Sequence, residues 1–444
     1  MNTNFIEKQK SRLTGSVTFK LILIAILSLL LLIPSGMIRR LISERESRRD
    51  ETIMEVTSKW GNAQTLCGPV LSIPYISYVE TDEGVKSVRH LAHFLPDQLV
   101  VNGDLNPEIR KRGIYKVIAY NSKLKFNGSF IPADFSEWKV SDPEILWDEA
   151  FVSLGISDMR GINNNIKIKW NDNELPVRPG IKSRDIVLSG VTAPTVVKPG
   201  ENYSFSFDLD LNGSHNLNFI PIGKETDVNL ESSWNTPSFD GAYLPTNHNI
   251  TDTGFTVNWH KLELNRNYPQ KWRDEEFNVD DSAFGVNLLF PVDSYQKSTR
   301  SVKYAFLFIM LTFLLFFFSE VLSKKRIHAV YYLLTGVALT VFYSLLVALS
   351  EHISFNLAYL AASVAIIGLI SVFSHSLFRG KTVTITISLV LIALYTFLFT
   401  ILQLADLSLL LGNIGLFIVL SLVMYFSRKV DWYSAGNADT TEKQ

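Results

Sequence analysis

The sequence predicts a membrane protein: an α-helical transmembrane bundle of six spans plus a large, mainly antiparallel β domain. Three observations carry this. Between Tyr304 and Ser427 the only Asp, Glu, Lys or Arg residues are Glu320, Lys324, Lys325, Arg326, Glu351, Arg379, Lys381 and Asp406. A separate apolar run stands near the N-terminus, bracketed by Lys20 and Arg39. Between these two regions the chain is polar and alternates apolar with polar residues in short segments, the period of half-buried strands. A mean hydropathy of +0.15 averages over this division and hides it.

Crossing the hydrocarbon core takes roughly 20 mostly apolar residues, because in lipid only a continuous helix or a closed barrel satisfies its own backbone hydrogen bonds. The first span runs from Leu21 to Ile38. A cleaved signal peptide would have a shorter apolar core ending at a small-x-small site; this run is longer and meets Arg39 and Arg40, so it reads as a retained anchor. The bundle that closes the chain, 304–427, takes five more spans: Tyr304 to Leu322, Ala329 to Leu349, Ser354 to Phe378, Thr382 to Leu402 and Ser408 to Ser427. Lys and Arg in short loops stay on the cytoplasmic side. One set of ends carries Lys8, Lys10, Arg12 and Lys20, then Lys324 to Arg326, then Arg379 and Lys381, then Arg428 and Lys429, whereas Ser350 to Ile353 and Gln403 to Leu407 carry none. Six spans make these sets alternate; five or seven would not. The N-terminal 1–20 and the tail 428–444 are therefore expected in the cytoplasm and the segment 39–303 outside.

That segment opens with a charged helical pattern, Arg39 to Trp60, with Glu44 and Arg48 one turn apart, and it reads as a stalk continuing the first span. Beyond Gly68-Pro69 the alternation predicts strands at Ile114 to Tyr120, Ile166 to Trp170, Tyr203 to Leu211, Val228 to Trp234, Phe255 to Trp259 and Phe284 to Phe290. Asn127-Gly128 and Asn212-Gly213 read as turns. The strands should form one or two sandwich-like layers.

Searches for chemistry return little. A net charge of -1 with no basic stripe outside short segments flanking apolar runs excludes the electrostatic footprint of a nucleic-acid binder, and the single cysteine, Cys67, excludes a disulfide framework. Gly380-Lys381-Thr382 ends like a phosphate loop, but His375 stands where the motif needs its first glycine. Neither a zinc-protease nor a nucleophile-elbow signature is present. Asp208 and Asp210 lie on the polar face of an alternating strand and read as a solvated edge. Nothing calls for a cofactor or metal.

Ionisable residues near membrane depth are functional candidates. Glu320, one turn from Lys324, suggests an interfacial ion pair. His375 shares a helical face with Ser363 and Ser371, a pattern of helix packing. At the outer membrane face Glu351, His352 and Asp406, with Lys303 nearby, are the candidate functional cluster, a carboxylate–imidazole group that would titrate near neutral pH. The competing reading is ordinary polar loop residues.

Several segments in order carry a family resemblance. Gly68-Pro69-Val70-Leu71-Ser72-Ile73-Pro74-Tyr75 follows the stalk; Ser157-Asp158-Met159-Arg160-Gly161-Ile162 comes next. Ser233-Trp234, Pro237-Ser238-Phe239, Leu244-Pro245, Gly254-Phe255 and Trp259 form a third group. Pro291-Val292-Asp293, Tyr295-Gln296, Arg300 and Lys303-Tyr304 lead into the second span, and Leu349-Ser350-Glu351-His352, Asp406, Leu409-Leu410-Leu411-Gly412 and Asp431-Trp432-Tyr433 complete the set. Over nearly its whole length the chain resembles the CreD family of inner-membrane cell envelope integrity proteins of Gram-negative bacteria. One departure is Asn413, where a smaller residue is expected. The resemblance implies a bacterial inner-membrane location, expression within the CreBC two-component regulon, and a part in envelope integrity, colicin tolerance and responses to β-lactams. It implies no catalytic residue.

The function expected is thus non-enzymatic support of envelope integrity under stress, with the periplasmic domain binding a partner or envelope component. A transporter of small molecules or lipid is the alternative, using Thr340, Tyr343, Ser344, Ser371, His375, Tyr395 and Thr396 inside the spans; a membrane-embedded hydrolase built on Glu351, His352 and Asp406 ranks last. Expected partners are membrane lipid and a periplasmic or inner-membrane protein, with no nucleic acid. No pattern specifies an oligomeric state.

Overall fold

The computed structural model describes residues 17–82, 84–290, 294–323, 325, 327–404 and 407–428. They fall into two compact units, Met1–Arg48 with Val292–Gln444, and Arg49–Pro291.

Among the described residues six helices are long and apolar enough to cross a membrane, the first of them running on into the second unit. Helix α1 (Val17–Leu30) runs on through Leu31 into α2 (Leu32–Trp60), because Leu31 N–H bonds Leu27 O and Ser35 N–H bonds Leu31 O. One helix therefore begins as the first span and continues as the charged segment read as a stalk. The others are α4 (Ala305–Leu322), α5 (Ala329–Ser350), α6 (Phe355–Phe378), α7 (Lys381–Gln403) and α8 (Ser408–Ser427), each within a residue of the expected bounds. Preceding them is α3 (Ser294–Lys303), a short helix that hydropathy alone passes over. It buries Tyr295, Ser298, Ser301 and Val302 and leaves Lys297, Arg300 and Lys303 on another side. Aromatic rings fill the bundle interior, among them Phe342 in edge contact with Tyr359 and Tyr395.

Among its described residues the second unit holds seventeen strands: β1 (Gln64–Thr81), β2 (Gly84–Phe94), β3 (Gln98–Arg112), β4 (Tyr115–Phe130), β5 (Phe151–Ile156), β6 (Ile168–Trp170), β7 (Asn173–Leu175), β8 (Arg178–Pro179), β9 (Gly190–Pro194), β10 (Tyr203–Ser214), β11 (Asn216–Phe219), β12 (Glu225–Ser232), β13 (Pro237–Gly241), β14 (Asn247–Thr251), β15 (Gly254–Leu262), β16 (Lys271–Arg273) and β17 (Phe284–Leu288). One sheet has the order β13-β17-β11-β1-β5-β9-β8 with β2 and β16 added beside β1; the other has the order β14-β15-β12-β3-β4-β10-β6-β7. Pairing is antiparallel except for β1 with β11 and β12 with β3. Side chains from both sheets meet in a single hydrophobic core, including Leu71 and Val152 from the first sheet and Phe126, Phe207 and Trp259 from the second.

The two Asn-Gly pairs are not turns. Asn127-Gly128 lies inside β4 and Asn212-Gly213 inside β10, each in register with a partner strand. Their glycines answer a packing need: a Cβ on Gly128 would meet the Phe205 ring, and one on Gly213 the Tyr120 ring. Tyr120 is fully buried and donates its hydroxyl to Asn216 O at 2.6 Å, so the space beside it is already spent.

Candidate functional site

Of the cluster expected at one membrane face, the structure ties down Glu351. This residue ends α5 and accepts a hydrogen bond from the Tyr295 hydroxyl at 3.0 Å, with the Arg45 guanidinium 3.9 Å away. His352 and Lys303 are exposed, and among the described residues no hydrogen bond or ion pair links either to Glu351. Asp406 lies outside the described residues. The same end of the bundle carries a second polar chain: Lys297 Nζ donates to Gln403 Oε1 at 2.6 Å, and Gln403 Nε2 to Asn356 Oδ1 at 2.6 Å. Nearby, Arg300 donates to Ile401 O at 3.5 Å.

At the opposite end Glu320 is 3% exposed. Its carboxylate accepts from the Lys20 ammonium, from the Ile327 backbone N–H at 2.9 Å and from the Tyr332 hydroxyl at 2.9 Å. Lys324, the partner expected from local spacing, lies outside the described residues, whereas Lys20 reaches Glu320 from 300 positions away. Burying a carboxylate is tolerated when it is paired and its lone pairs are filled. Glu320 meets both conditions, which makes it a tie between the first span and the α4–α5 connection. Two polar residues inside the spans also tie helices, Ser371 to Ser388 and Tyr359 to Tyr395 O between α6 and α7, whereas Thr340 bonds Gly336 O within α5. His375 is exposed.

In the β unit the segment Ser157 to Ile162 is a junction. Asp158 opens a short 3-10 turn and holds Arg160 in a two-pronged pair, Nε at 2.9 Å and Nη2 at 2.8 Å, while also accepting from Asn62 N–H. These donors, Arg160 first, hold its carboxyl below the usual range. Arg160 Nη1 then donates to Ser58 O near the end of α2. Gln64, fully buried, bonds Asp158 O and Asn212 O through its amide nitrogen and accepts from Asp158 N–H. Trp60 completes the joint, donating to Tyr120 O with Arg110 stacked 3.4 Å from its ring centroid. The last turns of α2 are thus fastened to the Asp158–Arg160 turn, to β3 and to β4.

Two further arrangements invite a chemical reading. Ser72, His93 and Asp185 are connected, Ser72 Oγ to His93 Nδ1 at 2.8 Å and His93 Nε2 to Asp185 Oδ2 at 3.0 Å. In a hydrolase triad the serine engages Nε2 and the acid Nδ1. Here the nitrogens are exchanged, and Ser72 and His93, opposite each other on β1 and β2, are both 2% exposed, so substrate has no path to the hydroxyl. The trio pins the Asp185 segment to β2. Among the described residues no group of three or more His, Cys, Asp or Glu is placed to hold a metal.

The second arrangement is on the outward face of the eight-stranded sheet. Asn247, Asn258, Asn229 and Asn102 stand opposite one another across β14, β15, β12 and β3. Asn258 Nδ2 donates to Asn229 Oδ1 at 2.8 Å, and Asn229 Nδ2 to Asn102 Oδ1 at 3.0 Å. The row lines an open cleft of about 460 Å³ that a second cleft of about 470 Å³ continues, with Asp104, Glu231, Asn249 and Thr256 common to both. Sequence reading missed this site. Its signal was asparagine recurring at outward positions of four strands, two of which, β3 and β14, were not assigned.

With this architecture in view the comparisons are decisive about kinship. Residues 16–433 match the protein family described as Inner membrane protein CreD. The chain belongs to the CreD family. It is also 32% identical over 422 residues, 91% of each chain, to the Inner membrane protein CreD of Escherichia coli (strain K12). This CreD-family chain is an inner membrane protein, and the match takes in the first span, the β unit and the closing bundle. The motif Ser157 to Ile162 becomes a joint with a visible role, and Gly68 to Tyr75 becomes a buried stretch of β1 along which pairing passes from β5, up to Ser72, to β2, from Leu71 onward.

Proposed function

We propose that this protein supports cell envelope integrity without being an enzyme, and that its β domain, held in the periplasm by the helices, binds an envelope component on the outward face of the eight-stranded sheet. The observation that carries the reading is the asparagine row. A carboxamide is uncharged and presents both donors and an acceptor. Four in register, flanked by Thr256 and by the carboxylates of Asp104 and Glu231, match a ligand rich in hydroxyl and amide groups, such as a glycan strand. Support for the periplasmic side comes from the Lys and Arg distribution in the short loops, and support for the non-enzymatic reading from a family name that carries no activity. In the spans Ser371 and Tyr359 spend their hydroxyls across to the next helix, on Ser388 and on the Tyr395 carbonyl, which favours helix packing over the transporter alternative.

The test is the full-length triple variant Asn102→Ala, Asn229→Ala, Asn258→Ala, produced at wild-type level in cells lacking the native protein. Survival under β-lactam or colicin challenge should fall to that of the deletion strain. Because the side chains face solvent, thermal stability should barely move. Full protection by the triple variant would refute the reading.

A further inference from the structure

Between α6 and α7 an apolar groove of about 450 Å³ opens on the outside of the bundle. Leu357, Leu360 and Val364 line it and are more than half exposed, while Tyr359 and Tyr395 are buried beneath. Asn356 stands at its α3 end, and from Asn356 the polar chain already described leads through Gln403 to Lys297. Lys297 and Arg300 lie one turn apart on α3 with Lys303 one turn further, a cationic stripe on a helix whose other side is packed into the bundle. Among the described residues no carboxylate is within ion-pair distance of Lys297 or Arg300; both spend bonds on neutral amide and carbonyl oxygens. Partial burial, and next the positive charge of Arg300, pull the Lys297 ammonium below its usual range. A nearby anion would relieve that repulsion.

We infer that the α6–α7 groove and the Lys297–Arg300 pair form one site for an anionic phospholipid, its tail in the groove and its phosphate on the two cations. Length and chemistry run in the same direction: an apolar trough on a membrane-embedded face ends at positive charge that no carboxylate among the described residues pairs, beside an amphipathic helix, the order of groups along a lipid. A soluble phosphate ester would use the cations and leave the groove empty. A neutral lipid would use the groove alone. This inference concerns the bundle and stands apart from the proposed role of the β sheet.

The experiment uses the purified full-length protein in neutral detergent, with native mass spectrometry to count bound lipid. Phosphatidylglycerol, phosphatidylcholine and glycerol 3-phosphate are titrated separately into wild type, into Lys297→Gln/Arg300→Gln, and into Val364→Trp, which fills the groove without touching the charges. Wild type should prefer phosphatidylglycerol to phosphatidylcholine, and the double charge variant should lose about 30-fold in affinity for it at the usual contribution of each basic residue to anionic lipid binding. Val364→Trp should weaken phosphatidylglycerol binding with the charges intact, and glycerol 3-phosphate should not bind. Equal affinity for the two lipids, an undiminished preference in the charge variant, or unchanged binding by Val364→Trp would each overturn the inference. If either variant fails to fold by size exclusion, Arg300→Gln or Leu360→Trp takes its place with the same expected direction.

Discussion

Asp158 shows how much one side chain can organise. Its carboxylate satisfies two nitrogens of Arg160, the Arg160 N–H and the Asn62 N–H. Charge-assisted bonds to a mostly buried group are worth about 1.5–3 kcal/mol, so Asp158→Asn should destabilise the β unit by about that much at neutral pH. Its pKa is lowered in the folded state, chiefly by Arg160. A carboxyl of this kind adds stability above its unfolded value, about 3.9, and that stability is lost as pH falls through the lower folded value. The stability gap between wild type and Asp158→Asn should therefore hold at pH 7 and narrow below about pH 3.9. Tryptophan fluorescence during urea unfolding reads this out, because seven of the eight tryptophans lie between Trp60 and Trp272; a gap independent of pH would count against the assignment. Gly161 makes the neighbouring case by size rather than charge. A Cβ there would run into the Asn212 carbonyl and the Gln64 amide, so Gly161→Ala should cost about 1–3 kcal/mol in the same unfolding measurement.

Elements differ in how openly the sequence declares them, and the reason is the solvent each one meets. Lipid forces a span to be apolar throughout, so the bounds of α4 to α8 could be read to within a residue. Strands with one wet face, such as β10 and β15, showed alternation. β1 did not, because from Leu66 to Pro74 it is buried on both faces and its pattern is continuous. α3 escaped notice for the opposite cause: three cations in ten residues conceal a helix whose packing uses serines. Sites were less legible still. Ser157 to Ile162 stood out as a motif, but its partners Ser58 and Gln64 are about a hundred positions away and only the fold joins them. Glu320 was noticed, yet its described cation comes from the far end of the sequence. That long reach makes a prediction about α1 and α4. In a double-mutant cycle of Lys20→Leu and Glu320→Leu, each single variant leaves a charge stranded, so their losses should exceed the double variant's in sum by about 0.5–3 kcal/mol, measured as thermal aggregation of the detergent-solubilised protein. Additive losses would mean that the pair does not couple the two helices.

For the molecule as a whole the open quantity is which way it faces, and the charges give two opposed hints. Lys325, Arg379 and Lys381 mark one set of loops as cytoplasmic, but Arg39, Arg40, Arg45, Lys297, Arg300 and Lys303 crowd the other end. The first set governs, because the second flanks a long domain, and charges beside long translocated segments weigh little in orientation. The β domain should then be periplasmic and the α6–α7 loop cytoplasmic. The chain supplies a convenient probe background, since its one cysteine is silent: Cys67 is buried on β1, and burial pushes its thiol well above the usual range, suppressing the reactive thiolate. A new cysteine in place of exposed His352 should react in whole cells with a maleimide that crosses the outer but not the inner membrane. One in place of exposed Arg379 should react only after the inner membrane is opened, and wild type should remain unlabelled throughout. The reverse pattern would invert the topology, place the asparagine row in the cytoplasm and remove its access to any envelope glycan. It would leave the Lys297–Arg300 lipid site intact on the opposite leaflet, so the labelling result decides which of the two binding proposals depends on orientation.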